Sequence, residues 1–383
     1  MDFNLNSEQQ MLQDSVRRYV DKAYAFETRA ARAGQCASLD HWQAFADNGW
    51  LAAALPEAHG GLGGDLRDIA IIAQELGRGL VMEPFLGCAV AAAQTLVAGG
   101  SAAQKSRLLP GLADGSVRVA LAYGEDGARG FPLPVDTCAR VGAEGFRLSG
   151  HKTLVLSGGI AQHYIVSARM AGGPAGSLTL FLVDADAAGL TRTALPLHDG
   201  SLAEDLVLDG VKVPAFAVIG TIGQGLAPLQ AGLADAVVAQ GAELVGAMEK
   251  VIEVTAHYLK TRQQFGVPIG SFQALQHRLV DMAGELELAR SMLFAALAAS
   301  EGPQGADRLR TVSGAKALIG RAARFVCGQG IQLHGGIGMT EEYLVGHYFK
   351  RAVVADHQFG GIDRHEAACA FDWPAQALAG AAT

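Results

Sequence analysis

Three side chains with different binding chemistry lie close together in the C-terminal half of the sequence. Arg262, Phe265 and Gln273 supply a guanidinium, an aromatic ring and an amide within a dozen residues. Arginine carries a permanent charge on a planar group whose donors match phosphate oxygens. A second motif, QLHGGIG at 332–338, contains glycines that allow a ligand to approach the backbone closely. Together the two motifs suit a ligand that carries phosphate groups.

Each of these residues also has an ordinary structural explanation. Arg262 alone is compatible with a surface salt bridge, and Phe265 alone with a core position. Gly335 and Gly336 alone are compatible with a turn that ends a helix. The occurrence of all of them, in this order and after a β-rich region, favours the binding function.

Hydrophobic periodicity divides the chain into three regions. Residues 7 to about 115 are predicted to be helical, with a capping box at Ser7 and Gln10, an apolar helix at 69–80 and a helix that ends at Pro110. Short apolar runs separated by turn residues then predict strands at 146–150, 164–167, 178–183 and 206–213. From about residue 226 the pattern is helical again.

Two apolar stripes at helical spacing characterise the last region. They are Leu275, Leu279, Met282, Leu286, Ala289 and Leu293, and Ala315, Leu318, Ile319, Ala322 and Val326. We expect four such helices in an antiparallel bundle. Because the first stripe is too continuous for an edge face, we expect part of it to bury a subunit interface. The prediction is an α+β fold with an N-terminal α-helical domain (1–116), a middle β-barrel or sandwich domain (117–222) and a C-terminal four-helix bundle (223–383).

Composition argues against several functional classes. The 383 residues include 30 Lys+Arg and 38 Asp+Glu, for a net charge of −8, and no basic cluster that would indicate nucleic-acid binding. The five cysteines contain no Cys-x-x-Cys pair, so we predict neither a disulfide framework nor a metal site. The apolar runs are short and interrupted, and the N-terminus lacks a signal-peptide pattern, so we expect a cytoplasmic protein without a membrane span.

The two motifs and the order of the three regions resemble the acyl-CoA dehydrogenase family. Within that family, the segments at 267–273, 335–340 and 345–351 are most similar to the group of small subunits of pimeloyl-CoA dehydrogenases. The resemblance implies FAD at a subunit interface and acyl-CoA thioesters as substrates. It implies that Arg262 contacts the diphosphate of a neighbouring subunit's FAD, that Phe265 packs on the cofactor and that Gln273 bonds to its adenylate side. By the same resemblance, Gln332, Gly335 and Gly336 line the diphosphate.

The catalytic base of the family is missing from both of its usual positions. In the family a glutamate removes the proton α to the thioester carbonyl, and the β-hydrogen leaves as hydride to flavin N5. One position, 27 residues after Gln332, is Phe359, and the other, 26 residues before Arg262, is Ala236. Asp235 is adjacent to the second position, although one residue along a helix rotates a side chain by about 100°. We consider it the candidate catalytic residue, with Asp356 weaker.

The segments that contact the flavin ring in the family are also altered. The family's Thr-Glu-Pro and Ala-Gly-Ser-Asp segment corresponds to 122–130, where only Glu125 is kept, and its Trp-Ile-Thr corresponds to Leu154, Val155 and Leu156. One catalytic element is independent of these changes. In the family a backbone N–H at the glutamate position polarises the thioester carbonyl, and Phe359 also has that N–H.

Three hypotheses remain open. The chain is the glutamate-lacking subunit of a hetero-oligomeric acyl-CoA dehydrogenase, or a homo-oligomeric enzyme that uses Asp235 as base, or a flavin-free scaffold that kept only the fold. The resemblance implies a homo- or heterotetramer, in the second case with a homologous subunit that bears the glutamate. It also implies electron-transfer flavoprotein as the electron acceptor. The acyl chain is not readable, because no cation for a dicarboxylic tail is evident beside Met82, Glu83, Phe85 and Leu86.

Overall fold

The N-terminal region is built from six α-helices and one π-helical stretch. A computed structural model describes residues 4–174, 176–302 and 305–371. The helices are α1 (Ser7–Ala23), α2 (Phe26–Arg32), α3 (Leu39–Asp47), α4 (Leu66–Arg78), α5 (Ala93–Gly99) and α6 (Ala102–Ala113), and the π-helix is Phe85–Ala92. The capping box of α1 is formed by Asn6 and Gln9, so the prediction of Ser7 and Gln10 is wrong by one residue.

Pro110 lies inside α6 and does not end it. The helix continues to Ala113, where Asp114 N–H bonds to the Pro110 carbonyl oxygen. A proline removes the donor for the carbonyl four residues earlier, and Ser106 at that position is exposed, so water can replace the lost partner. The predicted terminator is therefore wrong, because the cost of proline is small on a solvated face.

The middle region consists of eight strands in two linked sets. They are β1 (Val119–Ala122), β2 (Cys138–Gly142), β3 (Gly145–Val155), β4 (His163–Met170), β5 (Thr179–Asp184), β6 (Leu190–Pro196), β7 (Leu202–Val213) and β8 (Val218–Ile219). One set has the order β6-β7-β3-β2 and the other β1-β4-β5-β8. A short parallel pairing of β2 with β4 joins them. The four predicted strands correspond to β3, β4, β5 and β7.

The described part of the C-terminal region is helical apart from one tight hairpin. Its helices are α7 (Leu226–Thr261), α8 (Gln273–Ser300), α9 (Ala306–His334), α10 (Val345–His357) and α11 (Ile362–Phe371), and the hairpin strands β9 (Gln263–Gln264) and β10 (Val267–Pro268) follow α7. The predicted α+β architecture is confirmed. The element type changes between Ala113 and Val119 and again between Ile219 and Leu226, and the exact domain boundaries stay predictions.

The first apolar stripe of α8 packs inside the chain. Met282, Leu286, Ala289 and Leu293 are buried, and Leu275 and Leu279 pack against the same core. Leu275 and Leu279 are only partly buried, so the expectation that part of this stripe buries a subunit interface stays a prediction. The apolar side chains that α8 exposes lie elsewhere on the helix, at Val280 (67% exposed) and Leu288 (56% exposed).

Helices α4 and α7 approach each other unusually closely, which joins the N-terminal region to the bundle. A Cβ atom at Gly77 would lie 2.0 Å from the Glu243 carbonyl oxygen, and one at Gly246 would lie 1.9 Å from that of Gln74. Only glycine fits at either position without moving a backbone. The close contact also sets the position of Glu243, which belongs to the site described below.

We predict that Gly246→Ala lowers the free energy of unfolding by about 1–3 kcal/mol, because the new methyl group forces α4 and α7 apart. The matched control is Gly328→Ala in α9, where the added Cβ meets only ordinary contacts with Phe349 at 3.6 Å. Alanine is the better helix former, so the control should gain up to about 1 kcal/mol. Urea unfolding of both variants measures the difference, and equal effects would contradict the close packing.

Candidate functional site

A cavity of about 490 Å³ lies where the three regions meet, a volume typical of small-molecule sites. The π-helix contributes Gly87 and Ala91 to its wall. The β region contributes the segment 123–126 together with Thr153, Leu154 and Leu156, and the end of α10 contributes 357–359. The cavity is therefore lined by the same segments that the family resemblance assigns to the flavin ring and the thioester.

Phe359 occupies a left-handed backbone position at the edge of this cavity, with φ +59°. Its carbonyl oxygen accepts a hydrogen bond from His365 Nε2 at 2.9 Å, and His365 Nδ1 lies 3.0 Å from Ser313 Oγ. Because a carbonyl only accepts, the imidazole carries its proton on Nε2. Burial lowers the pKa of His365 to about 4, so the ring is neutral near pH 7. Gly130 packs so tightly on Gly360 that a Cβ there would lie 2.6 Å from Gly360 N.

Neither family position for the base carries an ionisable side chain, and Asp235 points elsewhere. Ala236 is fully buried in α7, and Phe359 is also buried. The Asp235 carboxylate accepts a hydrogen bond from Arg308 Nη2 on α9 and is absent from the cavity wall. Burial raises the pKa of Asp235 to about 6, against the opposing effect of Arg308. Asp235 as base stays a prediction, and its ion pair weighs against it.

The Asp356 carboxylate is also committed to structural contacts. It pairs with Arg324 at 3.0 Å and accepts the Ile362 N–H at 2.9 Å. Lys350 and Arg351, the cations near it in the sequence, are bonded to other groups. This arrangement closes the turn between α10 and α11, which carries Phe359.

The Glu125 carboxylate is used inside the β region. It accepts hydrogen bonds from Lys152 Nζ at 2.5 Å and from Thr137 Oγ1 at 2.6 Å. Burial alone would raise the pKa of Glu125, but the Lys152 charge and these hydrogen bonds hold it below its usual value. Burial lowers the pKa of Lys152 to about 8. Glu125 therefore fixes the loop beside the cavity through its side chain.

A second, deeper cavity of about 60 Å³ continues from the first and shares Gly87, Leu156 and Gln358 with it. Its wall includes Met82, Glu83, Phe85 and Leu86, and also two buried arginines, Arg29 and Arg351. A cation is thus present at the end of the pocket. No sequence pattern indicated this cation, because Arg29 comes from α2 and Arg351 from α10.

These arginines are already matched by acidic and carbonyl groups. Arg351 donates to both Glu243 oxygens at 3.0 and 2.8 Å and to Asp199 Oδ2 at 3.0 Å. It also donates to Gln358 Oε1 at 2.9 Å. Arg29 donates to the Leu80 and Asp199 carbonyl oxygens. Burial alone would raise the pKa of Asp199, but Arg351 lowers it below the usual value. The deep cavity therefore ends in a neutralised ionic network.

The residues assigned to the FAD tail lie outside the cavity, on the exposed end of the bundle. Arg262, Gln273 and Gln332 are exposed, and Phe265 is 90% exposed on its hairpin, so it is not a core residue. Tyr258 lies one turn before Arg262, and its ring stacks on His334 with centroids 4.4 Å apart. This contact holds the arginine motif against the glycine motif.

This exposed surface fits a diphosphate that approaches from outside the chain. A Cβ at Gly335 or Gly336 would meet no atom within 4 Å, so the glycine backbone is open to a ligand. No residue that the structure describes forms an ion pair with Arg262. An unpaired cation, an open glycine backbone and an exposed aromatic ring are the groups that such a ligand requires.

Comparison with known proteins matches all three regions of the chain. Family models for the N-terminal, middle and C-terminal domains of acyl-CoA dehydrogenases match residues 6–116, 120–211 and 223–363. The chain is 33% identical to the acyl-CoA dehydrogenase IpdE2 of Mycobacterium tuberculosis, covering 90% of this chain and 91% of the relative.

Two solved structures are similar over almost their full length. One is a variant of the Tcur3481–Tcur3483 steroid ACAD, with 31% identity, a TM-score of 0.84 and coverage of 98% of this chain and 99% of that chain. The other is the ChsE4–ChsE5 complex of Mycobacterium tuberculosis, with 27% identity, a TM-score of 0.88 and coverage of 98% of this chain and 100% of that chain.

The chain belongs to the acyl-CoA dehydrogenase family. It is an oxidoreductase of the acyl-CoA dehydrogenase type, and its cofactor is FAD. Across the residues that the structure describes, we find no helix with the length and apolar character needed to cross a membrane.

We predict that Arg351→Leu lowers the free energy of unfolding by about 3–5 kcal/mol, because it leaves Glu243 and Asp199 buried without their cation. Arg324→Leu is the control, since this arginine also pairs with a carboxylate but its side chain is 50% exposed. The control should cost less than about 1 kcal/mol. Urea unfolding measures both, and a loss below about 1 kcal/mol for Arg351→Leu would refute the role of the network.

Proposed function

We propose that this chain is the carboxylate-lacking subunit of a hetero-oligomeric, FAD-dependent acyl-CoA dehydrogenase. The observation that carries the proposal is the contrast between two sites. The residues for the FAD tail are exposed and unpaired, whereas Phe359 and Ala236 offer no base at the cavity. A chain with this pattern can complete a neighbour's cofactor site but has no glutamate of its own to remove a proton.

The exposed surface of the bundle supports an assembly with another chain. Phe265, Val280 and Leu288 are large apolar side chains that the isolated chain leaves in water. Covering such side chains is favourable by about 25 cal/mol per Å² of apolar surface. A homologous subunit that covers them would also bring its cofactor to Arg262 and Gln332. The proposed assembly is a heterotetramer, and a homotetramer is the alternative.

Two of the similar solved structures carry the names of two chains, Tcur3481–Tcur3483 and ChsE4–ChsE5. The paired names describe those proteins, and the similarity of this chain to them supports a two-chain assembly here. The resemblance to small subunits of pimeloyl-CoA dehydrogenases supports the same arrangement.

In the proposed reaction, the glutamate of the partner removes the α-proton of an acyl-CoA, and the product is the α,β-unsaturated thioester. FAD, when bound, supplies the acceptor for the hydride that leaves the β-carbon. Arg262 and the backbone at Gly335 and Gly336 hold the diphosphate of that cofactor. Electron-transfer flavoprotein is the proposed electron acceptor, and the cytoplasm is the proposed location.

The deep cavity does not favour a dicarboxylic acyl chain within this subunit. A free carboxylate at the end of the chain would need an unmatched cation. Arg351 and Arg29 lie there, but Glu243, Asp199 and backbone carbonyls already accept their hydrogen bonds. Pimeloyl-CoA as substrate therefore rests on the sequence resemblance alone.

Co-expression with a homologous chain that keeps a glutamate at either base position should give a yellow complex that oxidises acyl-CoA. In that complex Arg262→Ala should lose most of its FAD, because the diphosphate loses its fixed cation. Arg140→Ala, on the exposed face of β2, is the control and should keep its FAD. Flavin absorbance per protein and dye-coupled turnover measure both effects.

Three outcomes would contradict the hetero-oligomer. Rapid turnover by the chain alone, abolished by Asp235→Ala with flavin still bound, would establish the homo-oligomeric alternative. A colourless chain that binds no FAD with or without a partner would establish the flavin-free scaffold. Retention of FAD in the Arg262→Ala complex would show that this surface does not hold the cofactor.

A further prediction concerns the missing base itself. Because Phe359 lines the cavity, Phe359→Glu should place a carboxylate beside a bound thioester. We expect exchange of the α-hydrogens of butyryl-CoA with deuterium oxide to be at least about 100-fold faster than in Phe359→Gln. The amide has the same shape but cannot take a proton. Nuclear magnetic resonance measures the exchange, and equal rates would mean that no thioester reaches this position.

A further inference from the structure

Lys316 of α9 is a fully buried cation that neither the cofactor site nor the ionic network uses. It lies behind the turn that carries Phe359 and does not line the main cavity. Its Nζ donates to the Gln240 side-chain oxygen, to the Ala355 carbonyl at 2.5 Å and to the Gln358 carbonyl at 2.9 Å. Three acceptors surround one amino group, and two of them are backbone carbonyls at the end of α10.

The contact with the Gln358 carbonyl fixes the direction of the neighbouring N–H. The Gln358 carbonyl and the Phe359 N–H belong to the same peptide group, which is planar and trans, so they point in opposite directions. With Lys316 on the carbonyl side, the Phe359 N–H points away from Lys316. Phe359 lines the cavity, and no residue that the structure describes accepts a hydrogen bond from its N–H. The donor is therefore preset and free.

We infer that Lys316 is the positioning residue that presents the Phe359 N–H to a thioester carbonyl in this chain's own cavity, an inference that rests on the proposed function. A cation on the carbonyl of a peptide group also draws electron density from its N–H, which makes that N–H a stronger donor. The thioester carbonyl gains negative charge when its α-proton leaves, so a preset donor stabilises that charge.

The surroundings of Lys316 favour its charged form. Burial lowers the pKa of Lys316 to about 7. Three acceptors at bonding distance, however, require three N–H groups, which only the ammonium form supplies. The Gln358 side chain is held from two further sides, by Gln240 Nε2 at 2.8 Å and by Arg351 Nη2 at 2.9 Å. These two contacts hold the side chain, whereas Lys316 is the group that bonds to the peptide carbonyl.

This arrangement separates two steps that act together in a complete enzyme. The cavity keeps the group that polarises a thioester but lacks the carboxylate that removes the proton. It should therefore lower the free energy of an enolate that forms without help from a base. A 3-oxoacyl thioester forms such an enolate, because its α-proton is acidic enough to be lost to buffer. Acetoacetyl-CoA is the probe, and its short acyl group suits the small deep cavity.

The test compares Lys316→Met with Gln240→Met in the FAD-loaded protein. Both variants remove buried hydrogen bonds from the same cluster, but only the first frees the Gln358 carbonyl. We expect wild type and Gln240→Met to lower the apparent pKa of bound acetoacetyl-CoA below that of the free ligand. Lys316→Met should raise it again by about one pH unit, a tenfold change in the enolisation equilibrium. Ultraviolet absorbance of the enolate across pH measures the shift.

Glu243, Arg351 and Asp356, whose charges act on Lys316, are unchanged in both variants, so their titration cancels.

The outcomes separate the positioning role from the proposed function. The role of Lys316 would be overturned if both variants changed the apparent pKa of bound acetoacetyl-CoA equally, or if Lys316→Met bound the ligand and left that pKa unchanged. Either result would leave the proposed function intact. Failure of the wild type to bind both FAD and acetoacetyl-CoA would overturn both. If Lys316→Met does not fold, Lys316→Gln replaces it, since the amide keeps a donor without the charge. That variant should give an apparent pKa between wild type and free ligand, and an unchanged value would contradict the inference.

Discussion

The buried ionic network around Arg351 is the interaction on which the rest of the structure depends. Arg351 on α10 binds Glu243 on α7 and Asp199 between β6 and β7, and Arg29 on α2 donates to the Asp199 backbone. All three regions of the chain thus meet at one cluster of charges. Removing two ions of each sign from water is costly, and complete pairing offsets that cost only in one geometry. The cluster therefore selects a single relative position of the three regions.

The position of the main cavity follows from this constraint. The cavity lies between the regions, so its shape is fixed only when the regions are fixed. Gln358 connects the two features, because its side chain belongs to the ionic network and its backbone precedes the turn at Phe359. The chain keeps this scaffold complete although the base is absent. Such a combination is expected where the fold must be maintained for an assembly and proton removal is left to another subunit.

Local patterns in the sequence predicted the elements, and contacts between distant elements decided the rest. The alternation of helical and strand periodicity was sufficient for the α+β architecture, and the family resemblance carried by the glycine and arginine motifs implied FAD. Pro110 was misjudged because the tolerance of a helix for proline depends on exposure, which the sequence does not state. The ion pair between Asp356 and Arg324 has no signal in the sequence, because the two residues are close only in space. Lys316 and Arg29 carry no local pattern at all, and only the folded chain shows what they bond.

The exposed position of Arg262, Phe265 and Gln332 has a consequence for how long a flavin stays bound. In the proposed assembly, each copy of the chain would hold one part of a cofactor whose other part belongs to another copy or to a homologue. Cofactor affinity is then linked to assembly, and mass action makes both fall together on dilution. Flavin retention becomes a property of subunit concentration, so an excess of either subunit in the cell would leave that surplus without a complete site.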